Sequence, residues 1–245
     1  MLIINYRDMY GIYTVVAVVQ IRDKHMTEHL LCQLKTYRPF LDNVYMFTDT
    51  SEILVQSPYK DFTTEFMGRI WPDWDAPPDT AENTIFVKFD DDIVKMDDND
   101  HFKHFLEYRV RCDKNTLVSA NVVGTHPCAK IHQRLGITYR HEITPIPEDS
   151  IQIPLDTHKK VLRDGLNSFR FDMTYRIFKG EDVPLNVVSW FNHSDIDVRN
   201  GCIVYGNYAC CKYDRREIKN TTTLKQYTET PKRNWIHENG TWKKI

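Results

Sequence analysis

The sequence predicts an α/β fold in which a mainly parallel central sheet is flanked by helices. An unbroken apolar run covers residues 13–21, and unbroken runs are typical of strands that are covered on both faces. Apolar residues with helical spacing follow in residues 24–37, with Asp23 as the N-cap and Pro39 after the segment. A second strand is predicted at residues 43–48. Strand, helix and strand in this order form a βαβ unit of the nucleotide-binding kind.

Three consecutive aspartates interrupt the next pair of predicted strands. Residues 84–89 are rich in β-branched and aromatic side chains and lead directly into Asp90, Asp91 and Asp92. An apolar pair follows the aspartates, so buried strand is expected on both sides of them. Adjacent like charges repel, and burying them is costly unless a cation or hydrogen-bond donors compensate. Carboxylate oxygens suit hard divalent ions, so the run predicts Mn²⁺ or Mg²⁺ shared with a phosphate-bearing substrate.

A purely structural role for the acidic run is the alternative. Aspartates at strand ends also form turns and helix caps, as predicted for the polar residues 97–100, where a helix begins at Asn99 or Asp100. In open α/β sheets, however, ligands bind beyond the carboxyl ends of the strands. Gln20, Arg22 and Asp49 lie at these ends together with the acidic run. The sequence therefore predicts that all these polar groups lie on one rim of the sheet, formed by the carboxyl ends of its strands.

Strand and loop patterns continue through the later part of the chain. A strand is predicted at residues 117–123, and the proline-containing residues 137–156 have the length of a lid or binding loop. Residues 184–191 fit either a helix or a strand, because short apolar runs do not separate the two.

Composition limits the classes of function. The chain has 245 residues, of which 41% are hydrophobic, so a substantial core is expected. Its net charge is −2 and its basic residues are scattered, so nucleic acid is not expected as a partner. No transmembrane segment is expected, because the longest apolar run is far shorter than the roughly 20 residues of a bilayer span. Without an export signal or a C-x-x-C pair, the expected location is the cytoplasm.

Several blocks of the chain resemble one enzyme family. They comprise residues 69–71, residues 85–94 around the aspartates, residues 119–123 with Cys128, residues 132–136 and residues 186–191. In these blocks the chain resembles the DxD-type glycosyltransferases of the GT-A fold, and more narrowly a group encoded by large algal viruses, fungi and capsule-producing bacteria. The resemblance covers about residues 13–217 and implies a GT-A-like (Rossmann-like), mixed and mainly parallel sheet. It also suggests a virus-encoded protein acting in the host cytoplasm.

The resemblance implies that a sugar moves from a nucleotide-sugar donor, expected to be a UDP-sugar, to a hydroxyl of a glycan or glycoprotein acceptor. Mn²⁺ or Mg²⁺ would bind the donor diphosphate. By the same resemblance, Asp92 binds the metal directly, Asp90 binds it directly or through water, and Asp91 contacts the ribose. The remaining residues implied for the donor or metal site are Gln20, Arg22 and Asp49 at the nucleoside, Arg69 at the diphosphate, Asn121, and His193 as a further metal ligand.

The acceptor side needs a general base if the enzyme inverts the anomeric centre. The candidates are Asp195, Asp197 and Asp214. Where the family carries a late Asp-Glu pair, this chain has Asp214-Arg215-Arg216-Glu217, which keeps open a non-catalytic nucleotide- or carbohydrate-binding module of the same fold. A metal-dependent phosphotransferase is the other alternative, although two-metal chemistry needs further carboxylates.

The chain is predicted to form one glycosyltransferase domain over residues 1–245. Its nucleotide-sugar-binding half is expected at about residues 1–125 and its acceptor-side half at about residues 126–217. Residues 218–245 are expected to form a C-terminal tail packed over the domain.

Overall fold

The strands and helices of the chain are seen in a computed structural model. It describes residues 12–48, 64–67, 83–125, 128, 161, 165–181, 183–192, 201–212, 235–238 and 241–244. The helices in these ranges are α1 (Lys24–Leu34) and α2 (Asn99–Arg111), with short 3-10 helices at Lys35–Tyr37 and Asn167–Phe169. Neither α-helix is long and apolar enough to cross a membrane.

The strands form one large sheet and one separate pair. Within the described residues, the large sheet has nine strands, namely β1 (Thr14–Ile21), β2 (Asn43–Thr48), β3 (Thr64–Met67), β4 (Thr84–Asp90), β5 (Ile93–Met96), β6 (Leu117–Val123), β7 (Met173–Arg176), β8 (Val187–Phe191) and β9 (Cys202–Lys212). The strands β10 (Trp235–Glu238) and β11 (Thr241–Lys244) pair antiparallel with each other.

The strands of the large sheet lie in the order β3-β2-β1-β4-β8-β6-β9-β5, and β7 also pairs with β9. Parallel pairs join β1 to β2 and β4, β2 to β3, and β6 to β9. Antiparallel pairs join β8 to β4 and β6, and β9 to β5 and β7. Therefore β1, β2, β3, β4, β6 and β9 point one way and β5, β7 and β8 the other, which confirms the predicted α/β fold with a mixed, mainly parallel sheet.

The opening βαβ unit forms as its residue pattern predicts. Asp23 is the N-cap of α1, where its side chain accepts a hydrogen bond from the backbone N–H of Met26 at 2.9 Å. Leu30 and Leu34 of α1 are fully buried against the sheet. The helix then tightens into the 3-10 turn that buries Tyr37, and β2 begins at the predicted Asn43.

Strand β1 contributes to the core on both faces of the sheet. Ala17 and Val19 pack in the cluster that α1 and α2 cover, whereas Val16 and Val18 pack in a second cluster on the opposite face. Successive side chains of a strand point to opposite faces, so the part of a strand that is buried on both faces, here Val15 to Val19, is apolar without alternation. This explains the unbroken run that predicted β1.

Candidate functional site

Asp90, Asp91 and Asp92 lie at a buried turn between two strands, which we call the acidic turn. Asp90 is the last residue of β4, Asp91 and Asp92 form the turn, and β5 begins directly after them. All three side chains are buried. Because buried carboxylates need compensating charge or hydrogen bonds, the partners of each one define what the turn does.

Asp90 lies among cationic and amide partners. Lys88 Nζ lies 2.7 Å from its Oδ1, while Asn186 Nδ2 and Lys212 Nζ lie 2.8 and 3.0 Å from its Oδ2. Arg22 adds a longer ion pair of 3.4 Å to Oδ1. Burial alone would raise the pKa of Asp90, but the charges of Lys88, Lys212 and Arg22 outweigh it and hold this pKa well below its usual range. Asp90 is therefore ionised at neutral pH.

Asp91 joins the acidic turn to the start of α1. Its Oδ2 accepts hydrogen bonds from the backbone N–H groups of Arg22 at 2.6 Å and Asp23 at 2.8 Å. Its side chain is fully buried, so these contacts make Asp91 a positioning residue that fixes the backbone carrying Arg22. The ribose contact predicted for Asp91 stays a prediction.

Replacing Asp91 with alanine is expected to lower the free energy of unfolding by about 1–3 kcal/mol, because two backbone N–H groups lose their acceptor. Urea denaturation measures this loss. The matched control is Asp100→Ala, since Asp100 is an exposed acid in the first turn of α2 and should cost less than about 1 kcal/mol. Equal losses in the two variants would contradict the positioning role of Asp91.

Asp92 shares a cation with Asp90. Lys212 ends β9, and its Nζ lies 3.0 Å from Asp90 Oδ2 and 3.3 Å from Asp92 Oδ2. Burial raises the pKa of Asp92 to about 6, and the charge of Asp90 adds to the rise while Lys212 opposes it. Burial would lower the pKa of Lys212, but the two aspartates outweigh it and raise this pKa above its ordinary value. The carboxylates therefore stabilise a positive charge between them.

The donor set of this turn fits a hard divalent ion. Oxygens from two different residues, Asp90 and Asp92, converge on one point, which is the position of the Lys212 ammonium. Mn²⁺ and Mg²⁺ take carboxylate oxygens from one or two residues and complete their shell with water or phosphate oxygens. The same two oxygens could therefore hold such an ion, and the direct metal contact expected for Asp92 stays a prediction.

Gln20 and Arg22 lie on the same rim as the aspartates, as the sequence predicts. Gln20 of β1 is in register with Asp90 of β4 in the parallel pair. Arg22 donates from its guanidinium to Gln20 Oε1 at 3.2 Å, and its side chain is 36% exposed. Arg22 therefore connects the buried acidic turn to the solvent beyond the carboxyl ends of β1 and β4.

The buried side chain of Asn121 makes hydrogen bonds to the protein backbone. Its Nδ2 donates to the backbone carbonyls of Phe171, Gly206 and Tyr208 at 2.9, 3.1 and 3.3 Å, and its side chain is fully buried. Between the pairs Ser119 with Tyr205 and Asn121 with Ala209, two steps along β6 correspond to four along β9, so β9 bulges here. Asn121 stabilises this bulge, and its predicted contact with the donor stays a prediction.

The remaining predicted site residues lie outside the described residues. These are Asp49 and Arg69 on the donor side, His193 as a metal ligand, and Asp195, Asp197 and Asp214 as candidate bases. The site that the structure describes is therefore the donor-side rim formed by Gln20, Arg22, the three aspartates and their basic partners.

Three partners of Asp90 were not expected from the sequence. The sequence could have identified Lys88 as a partner, because it is a lone charged residue in an apolar strand and lies two positions before Asp90, on the same strand face. Asn186 lies just before β8 and Lys212 ends β9. Their sequence separations from Asp90 are 96 and 122 residues, and only the folded sheet brings them together.

A second group of potential metal ligands in the described residues is Asp97, Asp98 and His101, whose ligand atoms lie within 4.8 Å of one another. Arg170 Nε donates to Asp97 Oδ2 at 2.7 Å. Asp98 is the N-cap of α2 and accepts from the backbone N–H of His101 at 3.0 Å. These contacts give the group a structural role at the start of α2.

No model of a known protein family matches the chain, and a comparison with curated proteins gives no similar sequence.

Proposed function

We propose that this chain is a GT-A-like (Rossmann-like) glycosyltransferase that moves a sugar from a UDP-sugar donor to a glycan or glycoprotein hydroxyl with Mn²⁺ or Mg²⁺ as cofactor. The observation that carries the proposal is the convergence of the Asp90 and Asp92 carboxylates on one cation position. This position lies at the carboxyl ends of the parallel strands β1 and β4, where open α/β sheets bind nucleotides.

The electrostatics of the rim suit a leaving nucleoside diphosphate. Negative charge develops on the diphosphate as the glycosidic bond breaks, and preorganised positive groups stabilise charge where it forms. The partly exposed guanidinium of Arg22 supplies a cation next to Asp90, and the ammonium of Lys212 adds positive charge at the same edge of the sheet. When bound, the divalent ion would add Lewis-acid stabilisation of the same charge. Gln20 would orient the nucleoside from its place beside Arg22.

The acceptor half of the reaction stays a prediction from the sequence. It needs a base within hydrogen-bond reach of the acceptor hydroxyl, for which Asp195, Asp197 and Asp214 are the candidates. The cytoplasmic location and a viral source likewise stay predictions.

The donor assignment predicts that UDP binds with a strong dependence on manganese. Calorimetric titration of UDP into the full chain, with and without Mn²⁺, should give binding that is much tighter with the ion, because an ion held by Asp90 and Asp92 would supply positive charge to the diphosphate. Uridine is the matched control, since it lacks the diphosphate and should show no dependence on the ion. Absence of UDP binding in both conditions would contradict the donor assignment.

A panel of nucleotide sugars separates the transferase from the two alternatives. A transferase slowly hydrolyses its own donor in the absence of acceptor, so free sugar should be released from one nucleotide sugar and not from the others. A binding module would bind the donor without releasing sugar. A phosphotransferase would transfer phosphate rather than release free sugar.

A further inference from the structure

The ammonium of Lys212 lies where a divalent ion would bind. Its Nζ contacts Asp90 Oδ2 at 3.0 Å and Asp92 Oδ2 at 3.3 Å, and these are the two oxygens that the proposed function gives to the metal. The backbone of Lys212 is fixed, because it pairs with Ile93, the residue directly after the acidic turn, in the β5–β9 ladder. The fold itself therefore directs this side chain at the acidic turn.

Among the described residues, three cations contact the carboxylates of the acidic turn. Three carboxylates, those of Asp90, Asp91 and Asp92, lie in the turn, and the cations of Lys88, Lys212 and Arg22 contact it. A divalent ion that entered beside an ammonium at this distance would be repelled by it, strongly so in a buried site. Lys212 contacts both of the oxygens at this position, so entry of the ion there requires the ammonium of Lys212 to move.

Lys212 is better suited to move than Lys88. Lys88 is 5% exposed, and its Nζ donates both to Asp90 Oδ1 and to the backbone carbonyl of Leu185 at 2.8 Å. The side chain of Lys212 is 18% exposed, and its flexible four-carbon stem allows the ammonium to swing away from the carboxylates.

We propose that Lys212 is a resident cation of the acidic turn that competes with the divalent ion for the Asp90 and Asp92 carboxylates. This inference rests on the proposed function, since it concerns the metal of the same site. When the ion binds, Lys212 leaves the two oxygens and keeps its positive charge at the sheet edge. Without the ion, Lys212 compensates the charge of the acidic turn.

The test is the affinity of the full chain for Mn²⁺ alone, measured by electron paramagnetic resonance of the free ion. Replacing Lys212 with methionine removes the competing charge and keeps most of the stem, so the Kd for Mn²⁺ should fall about tenfold or more, which corresponds to about 1.4 kcal/mol. Lys212→Arg keeps the charge and should leave the affinity near that of the natural protein.

Lys179→Met is the matched control. Lys179 is exposed and follows β7, whose Arg176 pairs with Cys202 at the start of β9. Lys212 ends the same strand, and because four residue steps of β9 match only two of β6 at the bulge, it lies roughly 26 Å from Cys202 at about 3.3 Å per register step. The control therefore makes the same change in net charge far from the acidic turn and should leave the Kd for Mn²⁺ unchanged.

The outcomes separate this inference from the proposed function. Tighter Mn²⁺ binding by Lys212→Met alone supports competition. Equal affinity of Lys212→Met and the natural protein would overturn the competition while leaving the metal site in place. Failure of every variant to bind Mn²⁺ would overturn the metal site as well. Lys212→Gln, a neutral variant that keeps a hydrogen-bond donor, serves as the second test if thermal unfolding shows that Lys212→Met does not fold.

Discussion

Replacing Asp92 with asparagine is expected to abolish the manganese dependence of UDP binding while the protein keeps its fold. In the proposed site Asp92 is the direct ligand of the ion, and an amide oxygen without charge is a much weaker ligand. Loss of groups that only support metal ligands already costs about 10–100-fold in affinity, so loss of this ligand should weaken Mn²⁺ binding by about 100-fold or more. Calorimetry of UDP with and without Mn²⁺ measures the effect.

The stability of Asp92→Asn should not fall. Burial raises the pKa of Asp92 to about 6, which means that the folded environment disfavours its charged form. At neutral pH the natural protein carries this unfavourable charge, and a neutral amide of the same shape removes it. The free energy of unfolding, measured by urea denaturation, should therefore stay the same or rise, which separates a loss of binding from a loss of fold.

Asp100→Asn makes the same change of charge at an exposed position in the first turn of α2 and should not change UDP binding. If Asp92→Asn retains full manganese-dependent binding, Asp92 is not the metal ligand. If the neutral variant is much less stable than the natural protein, the carboxylate of Asp92 has a structural function in the turn.

The first half of the fold follows from local patterns. A strand made of an unbroken apolar run is shielded from water only if both of its faces are buried. Parallel pairing of two such strands brings their carboxyl ends together. That reasoning predicts that Gln20, Arg22 and the acidic run share a rim, and the structure places Gln20 in register with Asp90. The N-cap Asp23 and the strand beginning at Asn43 follow from equally local signals.

The central part of the sheet depends on contacts that no local pattern encodes. Residues 184–191 fitted either a helix or a strand, and they include β8, which lies antiparallel between β4 and β6. This insertion brings Asn186 to Asp90. In the same way, β9 places Lys212 next to Asp90, although the two residues are 122 positions apart in the sequence. Such long-range pairing is decided by packing of the whole sheet rather than by the residues of one strand.

The separate roles of the three aspartates also depend on the folded turn. In the sequence they are three adjacent identical side chains. The turn directs Asp91 toward the backbone of Arg22 and Asp23, while Asp90 and Asp92 point toward Lys212. The turn thereby makes one residue a positioning group and the other two a cation site.

Replacing Arg109 with methionine is expected to lower the free energy of unfolding by about 3–5 kcal/mol. Arg109 is fully buried in the described structure. Its guanidinium donates to the backbone carbonyls of Cys112, Asp113 and Thr116, and lies 4.6 Å from the centre of the Phe191 ring. Removing it leaves three carbonyls without this donor and ends a cation–π contact between α2 and β8.

The matched control is Arg111→Met, since Arg111 is exposed in the last turn of the same helix. Urea denaturation should show a loss of less than about 1 kcal/mol for this control, because an exposed cation at a helix C-terminus stabilises only weakly. Arg109→Lys should fall between the two, because an ammonium keeps the charge but cannot reach three carbonyls in the geometry of a guanidinium. Equal stability of Arg109→Met and Arg111→Met would contradict the role of Arg109. A large loss in Arg109→Met alone would show that the buried guanidinium stabilises the end of α2 and the loop that follows it.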